Sequence, residues 1–200
     1  MVKRAIDRQR TAINRKALSH PTACVIRDEL LTQSTPSVLD FGCGRGGDSQ
    51  RLREMGFYVA CWDREFCPKE RITAASIVLL NFVLNTIEWP AERTSIARIT
   101  YALADSLLVV AVRVGRDPWK GETERYHDGV RTESNTFQKI YKHDEFCQGL
   151  ADTLDAPVYG PEPGIAYVFK DQSLEEKFLA RCPSQRSKKW ESQRGSPTAL

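Results

Sequence analysis

A glycine-rich turn between a short apolar run and a helical pattern is the feature that most constrains this sequence. The apolar run ends at Asp40, and Gly42, Gly44 and Gly46 follow at alternate positions, with a helical spacing of apolar residues behind them. Glycine is needed where the backbone takes a positive φ or must approach a ligand closely. The pattern predicts a strand, a tight turn, and a helix whose N-terminus offers free N–H groups to an anion.

A second acidic position follows this turn. The apolar run 57–62 ends at Asp63, which lies 21 positions after Gly42. An acid about 20 residues beyond such a turn sits at the tip of the second strand and reaches ribose hydroxyls. The turn and the acid together therefore predict a nucleoside-binding βαβ unit.

Two cofactor classes compete for this unit. Gly42, Gly44 and Gly47 fit the dinucleotide pattern G-x-G-x-x-G, so a nicotinamide-dependent oxidoreductase is one alternative. Asp40, two positions before the first glycine, is unusual in dinucleotide binders. The string from Asp40 to Gly46 resembles motif I of the class I S-adenosylmethionine-dependent methyltransferases, and this resemblance implies S-adenosylmethionine as the cofactor. The binding residues that it implies are Asp40, Gly42, Gly44, Gly46, Asp63 and Asn81.

Roles follow for the two acids. Asp63 is the candidate for the ribose hydroxyls, with a loop cap as its alternative role. Asp40 is expected either to brace the glycine turn through backbone N–H groups or to contact the methionine amino group.

Length, apolar content and cysteine spacing set further limits. The 200 residues suit one domain with a sizeable core. The sequence has no apolar run near the ~18 residues of a membrane span, and its first residues carry no secretory signal, so a cytoplasmic protein is expected. Six cysteines occur without a C-x-x-C pair or a histidine at ligand spacing, which predicts free thiols and no metal.

Charge divides the chain into three regions. Residues 1–16 carry a formal charge of +5 and residues 183–200 carry +3, while the whole chain carries +3, so that the body is mildly acidic. We expect a basic N-terminal arm (1–16), a methyltransferase domain (17–182) and a disordered basic tail (183–200). The basic ends suit contacts with phosphates, and they suit solubilising tails equally well.

The spacing of apolar runs predicts an α/β fold with one strand fewer than the methyltransferase plan. That plan has a Rossmann-like sheet in the order 3-2-1-4-5-7-6 with helices on both faces. Only 13 residues, 64–76, separate Asp63 from the next apolar run, whereas a helix, a strand and their connections need about 25. The third, edge strand is therefore expected to be missing or vestigial. Farther on, the polar stretch 115–136 is expected to be a long loop.

The chain also resembles a more specific family. Segments spread over residues 8–181 are similar to the methyltransferases associated with DNA phosphorothioation in bacteria. They are RTAINRKALSHP (10–21), VLDFGCGRGGD (38–48), GFYVACWD (56–63), IVLLNFVLNTIE (77–88), DGVRTESNTFQKIY (128–141), AYVFKD (166–171) and EEKFLA (175–180). This resemblance implies a place among DNA modification proteins, with DNA or another nucleic acid and other modification proteins as partners. It supplies no methyl acceptor.

Candidates for the acceptor side are few. Enzymes that methylate exocyclic base amines carry Asn/Asp-Pro-Pro-Tyr/Phe after the fourth strand, where this chain has Asn81 without either proline, and no Pro-Cys dipeptide of the cytosine C5 enzymes occurs. Asn81 is a candidate to accept a hydrogen bond from an attacking amine, or else a turn former. His127 and Asp128 are candidates for a base and its orienter, or else part of a surface loop.

These observations favour an S-adenosylmethionine-dependent methyltransferase acting in a DNA modification system. Because a familiar acceptor motif is lacking, we also consider a second hypothesis: a catalytically inert subunit of the same fold that binds modified DNA or a partner protein.

Overall fold

The computed structural model describes residues 5–115, 123–181 and 188–193. Its strands are β1 (Val38–Phe41), β2 (Val59–Trp62), β3 (Ala75–Asn81), β4 (Ala104–Ala111), β5 (Thr123–Tyr126), β6 (Gly129–Thr132), β7 (Phe137–Gln138), β8 (Val158–Glu162), β9 (Ile165–Phe169) and β10 (Lys189–Trp190). Its α-helices are α1 (His20–Arg27), α2 (Gly47–Glu54), α3 (Pro90–Leu103), α4 (His143–Leu154) and α5 (Gln172–Arg181).

A seven-stranded sheet in the order β10-β8-β9-β4-β3-β1-β2 forms the centre. Strands β2, β1, β3 and β4 are parallel, and β9, β8 and β10 add to them in antiparallel pairs. This order is the expected methyltransferase order without its third strand, with β10 added at the far edge. Between Asp63 and Ala75 the structure contains only an isolated bridge from Asp63 to Cys67, so the prediction of a missing edge strand is confirmed.

Helices cover the sheet on both faces. One core packs α3 and α4 against side chains such as Val78 and Leu80, and the other packs α1, α2 and α5 against the alternate side chains, such as Ile77 and Leu79. All four of these β3 side chains are buried because a parallel strand between two helical layers has no solvent face. No helix within the described ranges has the length and apolar character needed to cross a bilayer.

The polar stretch 115–136 is not the loop that its composition suggested. Residues 123–138 form a separate antiparallel sheet in the order β5-β6-β7. His127, at φ 50°, and Asp128 make its two-residue hairpin turn. The prediction of a loop was wrong because β5 and β6 are largely polar. The sheet is anchored by Phe137 of β7, whose ring is fully buried. Residues 116–122 lie outside the described part of the chain.

The tail 183–200 is ordered in its middle, contrary to expectation. Strand β10 pairs antiparallel with β8, and Trp190 is only 7% exposed. The Trp190 ring lies edge-on to His143, with 5.4 Å between ring centroids. One buried tryptophan at a sheet edge thus orders residues that a polar, basic composition predicted to be disordered. Residues 183–187 and 194–200 lie outside the described ranges.

The basic arm packs against the body of the protein. The Asp7 backbone N–H donates to the Asn135 carbonyl at 2.9 Å, and a short 3-10 helix follows at Arg8–Thr11. The Arg8 guanidinium pairs with Glu88 at 2.8 Å and with both oxygens of Glu92 at 2.6 and 2.7 Å. The three donor nitrogens of Arg8 thus bind two carboxylates. The Asn135 side chain also donates to the Ala5 carbonyl at 2.7 Å, so the segment is fixed to the body of the protein at Ala5, Asp7 and Arg8.

Candidate functional site

The predicted glycine turn lies at the carboxyl end of β1, as the sequence indicated. Gly42, Gly44 and Gly46 have φ of 75°, 54° and 72°, a region that other residues rarely adopt. A Cβ at Gly42 would lie 2.4 Å from Val83 Cγ2, whereas one at Gly46 would meet nothing within 4 Å. Gly46 is also the N-cap of α2, so the turn delivers the chain directly to a helix N-terminus.

Asp63 braces this turn. Its Oδ2 accepts a hydrogen bond from the Gly44 N–H at 2.9 Å, and its Oδ1 accepts the N–H groups of Glu65 and Phe66 at 2.9 and 3.1 Å. A carboxylate has about four lone-pair sites. Among the described residues, one site on Oδ2 therefore remains for a ligand hydroxyl, which is the chemistry expected for a ribose.

Asp40 lies beneath the turn and is hydrogen-bonded to helix α2 instead of to the turn. Its side chain is 3% exposed, and its Oδ2 accepts the Ser49 hydroxyl of α2 at 2.5 Å. Burial raises the pKa of Asp40 to about 7, against the lowering effect of the Ser49 hydrogen bond, and the charge of Asp48 raises it further. Of the two roles considered for Asp40, bracing of the turn is performed instead by Asp63.

A buried polar chain that sequence reasoning missed leads from α2 to Asn81. The Asp48 carboxylate accepts the Ser19 N–H at 2.7 Å, the Ser19 hydroxyl, and the Thr22 hydroxyl at 2.7 Å. Because Thr22 donates its proton to Asp48, its oxygen accepts from Asn81 Nδ2, at 3.0 Å. This fixes the orientation of the Asn81 amide.

The Asn81 Oδ1 atom is buried and has no hydrogen-bond partner among the described residues. An unpaired buried acceptor is costly, by about 1–3 kcal/mol, and calls for an explanation such as a bound ligand. Asn85 Oδ1 shares this property. Asn81 ends β3, the strand beside β1, so its amide lies at the same edge of the sheet as the glycine turn.

The N-terminal segment lies across the glycine turn. Ala12 Cβ would be 3.2 Å from a Cβ on Gly44, and the Arg45 Nε donates to the Ala12 carbonyl at 3.4 Å. The Arg51 guanidinium donates to the Arg15 carbonyl. The Arg15 guanidinium in turn lies 5.3 Å above the Phe82 ring, next to Asn81. Exposed cationic groups are thereby placed around the turn.

His127 and Asp128 do not form the predicted base and orienter. The Asp128 carboxylate is bound by Lys139 at 2.7 Å and Arg93 at 2.5 Å. Although burial opposes it, these hydrogen bonds lower the pKa of Asp128, so the group stays ionised. The His127 ring instead packs against Trp89, with 4.5 Å between ring centroids and 52° between the ring planes. Arg93 and Lys139 therefore bind the Asp128 carboxylate in place of His127. Arg93 lies 35 positions from Asp128 in the sequence, so no local pattern could predict their contact.

Comparison with known proteins identifies solved structures that have a similar fold. No family model matches the sequence, and no similar protein was found among curated sequences. Among solved structures, a Burkholderia thailandensis 1,6-didemethyltoxoflavin-N1-methyltransferase with bound 1,6-didemethyltoxoflavin and S-adenosylhomocysteine is similar, with a TM-score of 0.56 and 18% identity over 76% of this chain and 78% of that one.

Two further structures are similar. The sugar N-methyltransferase KedS8 from a Streptoalloteichus species has a TM-score of 0.57 and 12% identity over 78% of this chain and 89% of its own. A Bacteroides fragilis S-adenosylmethionine-dependent methyltransferase, in complex with S-adenosyl-L-homocysteine, has a TM-score of 0.51 and 14% identity over 78% and 79%. The chain has the class I methyltransferase Rossmann-like fold.

Proposed function

We propose that this chain is an S-adenosylmethionine-dependent methyltransferase that acts on nucleic acid in a bacterial DNA modification system. The observation that carries the cofactor assignment is the turn of three left-handed glycines braced by Asp63, with one carboxylate lone pair left over. Similar folds that contain S-adenosylhomocysteine support it.

The residues of the turn divide the binding of this cofactor. Gly42, Gly44 and Gly46 let the backbone approach the ligand, and Asp63 Oδ2 accepts a ribose hydroxyl. The N-terminus of α2 attracts the cofactor's carboxylate. Asp40, when ionised, adds a negative charge below the turn that favours the methionine ammonium.

Asn81 is the proposed acceptor-side residue. When bound, S-adenosylmethionine supplies a methyl group on a sulfonium, which is already activated toward displacement. Asn81 Oδ1 accepts a hydrogen bond from an attacking amine and so holds the amine lone pair in line with the methyl carbon. The polar chain through Thr22 and Asp48 prevents the amide from turning.

A stacking surface beside this edge supports a nucleic acid as the acceptor. Trp89, directly before α3, is 51% exposed, and the exposed His127 ring lies against it. Exposed aromatic rings of this kind stack unpaired bases. Arg15, Lys16 and Arg45 are exposed on the segment and turn nearby and suit phosphate contacts. The phosphorothioation context rests on the resemblance of sequence segments given above.

The inert-subunit reading is kept as a second candidate because Asp128 does not orient His127. On that reading the protein binds cofactor and DNA but transfers no methyl group.

The test separates these outcomes. Calorimetry should show binding of S-adenosylhomocysteine, and heat with NADH alone would favour the oxidoreductase. The protein is then incubated with methyl-labelled cofactor and single-stranded or duplex DNA, and nucleosides are analysed by mass spectrometry. Methylated nucleosides that disappear in Asn81→Ala, assayed at a cofactor concentration that saturates the variant, support the proposal. Binding of both ligands without any transfer supports the inert subunit.

A further inference from the structure

We propose that Cys43, Cys61 and Cys67 form a binding site for a zinc-class divalent ion, beside the glycine turn and independent of methyl transfer. Their three Sγ atoms all lie within 4.8 Å of one another. The sequence alone predicts no metal, because the three residues are 18 and 6 positions apart and match no zinc spacing.

Backbone hydrogen bonds bring the three thiols together without help from a metal. The Cys43 N–H donates to the Trp62 carbonyl at 3.2 Å, which places the turn against the end of β2 that carries Cys61. The Cys67 N–H donates to the Asp63 carbonyl at 3.1 Å, and Asp63 also caps the two residues before Cys67. The site is therefore preformed.

The missing edge strand makes room for this arrangement. In a sheet with a third strand, the flank of β2 would be covered by that strand. Here the chain after Asp63 turns back through the bridge between Asp63 and Cys67 and returns a thiol to the open flank. A metal would fasten this strandless segment to the turn.

The geometry fits a tetrahedral ion. Zinc–sulfur bonds of about 2.3 Å at tetrahedral angles put sulfur atoms ~3.8 Å apart. Sulfur atoms at most 4.8 Å apart reach that spacing by movements of less than about 1 Å, within the range of small side-chain adjustments. A water molecule would complete the fourth position, because the Asp63 carboxylate accepts three backbone N–H groups and its remaining lone pair is the proposed ribose contact.

Charge balance favours a divalent ion over a monovalent one. Three thiolates around a divalent ion carry a net charge of −1, and the Arg53 Nη2, 3.3 Å from Cys61 Sγ, offsets it. A monovalent copper ion would leave −2.

The test uses cobalt(II) as a spectroscopic substitute for zinc. Metal-free full-length protein in a phosphine reductant is titrated with cobalt(II). A stoichiometry of one ion per chain, with thiolate-to-cobalt charge transfer and tetrahedral d–d absorption that zinc removes, is the expected result. Cys43→Ser, Cys61→Ser and Cys67→Ser should each weaken binding by at least about 100-fold, since even an outer-shell change costs 10–100-fold. Cys147→Ser, in α4 and away from the cluster, is the matched control and should bind normally.

A second readout needs no variant. With zinc bound, alkylation followed by peptide mass spectrometry should show protection of Cys43, Cys61 and Cys67 relative to metal-free protein, with Cys147 of α4 unchanged. The proposal is overturned if folded wild-type protein shows no charge-transfer band, if the band survives all three substitutions, or if two of the three cysteines are recovered as a disulfide under reductant. None of these readouts depends on methyl transfer or on S-adenosylmethionine.

Discussion

The Asp63 carboxylate and the Gly44 backbone N–H are joined by a 2.9 Å hydrogen bond that ties the second strand of the sheet to the turn after the first. The same carboxylate also caps the chain that follows it. One side chain therefore sets the shape of the turn, the start of the strandless segment, and the proposed ribose contact.

Replacing Asp63 should weaken cofactor binding. In Asp63→Asn, the amide NH2 must face either the Gly44 N–H or the two capping N–H groups, donor against donor. Hydrogen bonds to a charged group contribute about 1.5–3 kcal/mol, so S-adenosylhomocysteine affinity should fall roughly 10- to 150-fold by calorimetry. Asp105→Asn, an exposed acid at the start of β4, is the control and should leave affinity unchanged. Equal affinities of Asp63→Asn and wild type would remove Asp63 from the site.

The glycine turn offers a pair of substitutions that separates backbone strain from steric overlap. Both Gly42→Ala and Gly46→Ala force a side chain into a left-handed backbone conformation, which should lower the free energy of unfolding by about 1–2 kcal/mol. Only Gly42→Ala also places a methyl group against Val83. Urea denaturation should show Gly42→Ala to be less stable by a further 1–3 kcal/mol or so. Adding Val83→Ala should recover part of this difference. If the two alanine variants are equally stable, Val83 does not confine the turn.

Asp40 should give the protein a distinct dependence of stability on pH. Its pKa rises from 3.8 to about 7 on folding. Between these values the folded state binds more protons than the unfolded state, so the free energy of unfolding falls as the pH rises. Between about pH 5 and about pH 8, the free energy of unfolding should lose on the order of 2–3 kcal/mol that protonated Asp40 contributes at the lower pH.

In Asp40→Asn this contribution is absent, so the variant should lose less stability than wild type over that range. Chemical denaturation at the two pH values checks the difference, with Asp105→Asn as the matched control. Parallel pH profiles for wild type and Asp40→Asn would show that the Asp40 pKa is not raised.

The Trp89 surface should contribute to binding of unpaired bases. Stacking on an aromatic side chain is worth about 1–3 kcal/mol per base, so Trp89→Ala should weaken single-stranded oligonucleotide binding roughly 5- to 150-fold. Tyr58→Ala is the control. Tyr58 is 76% exposed, but it lies at the amino end of β2, away from the carboxyl ends of the strands where the glycine turn and Asn81 lie. If both variants bind like wild type, no base stacks on Trp89.

The exposed cations of the N-terminal segment should make DNA binding depend on salt. Replacing Arg10, Arg15 and Lys16 together should lower the log–log slope for duplex DNA by about three, one per phosphate contact. Arg8 is left intact because it pairs with Glu88 and Glu92. Affinity for S-adenosylhomocysteine should not change.

The control for this experiment removes the same number of charges elsewhere, at Lys142, Lys177 and Lys189. An equal fall in slope for both triple variants would point to net charge alone. A wild-type slope near zero would contradict the nucleic-acid proposal.

Local patterns were sufficient to predict the centre of the fold. The strand, turn and helix from Val38 to Glu54 and the acid at Asp63 lie within a short stretch, where periodicity, glycine positions and spacing suffice. The missing edge strand could be predicted as well, because too few residues separate Asp63 from β3. These features depend on neighbouring residues in the chain.

Features that depend on distant contacts could not be predicted in this way. Ser19 and Asp48 meet across 29 positions, and Arg8 meets Glu92 across 84. Trp190 holds Lys189–Trp190 as a strand within a sequence of disorder-prone composition because β8 presents an open edge. In each case the partner is supplied by tertiary structure, so no local pattern indicates it.

The loss of the third strand leaves β2 as an outer strand, a position that invites another chain to add on and aggregate. Two properties oppose such growth. β2 is only four residues long, and the Arg53 guanidinium donates twice to the Val59 carbonyl, at 3.0 and 2.8 Å, occupying an acceptor that an incoming strand would use. Arg53 thus covers part of the open edge of β2, and Arg53→Ala should shift the protein toward self-association at high concentration.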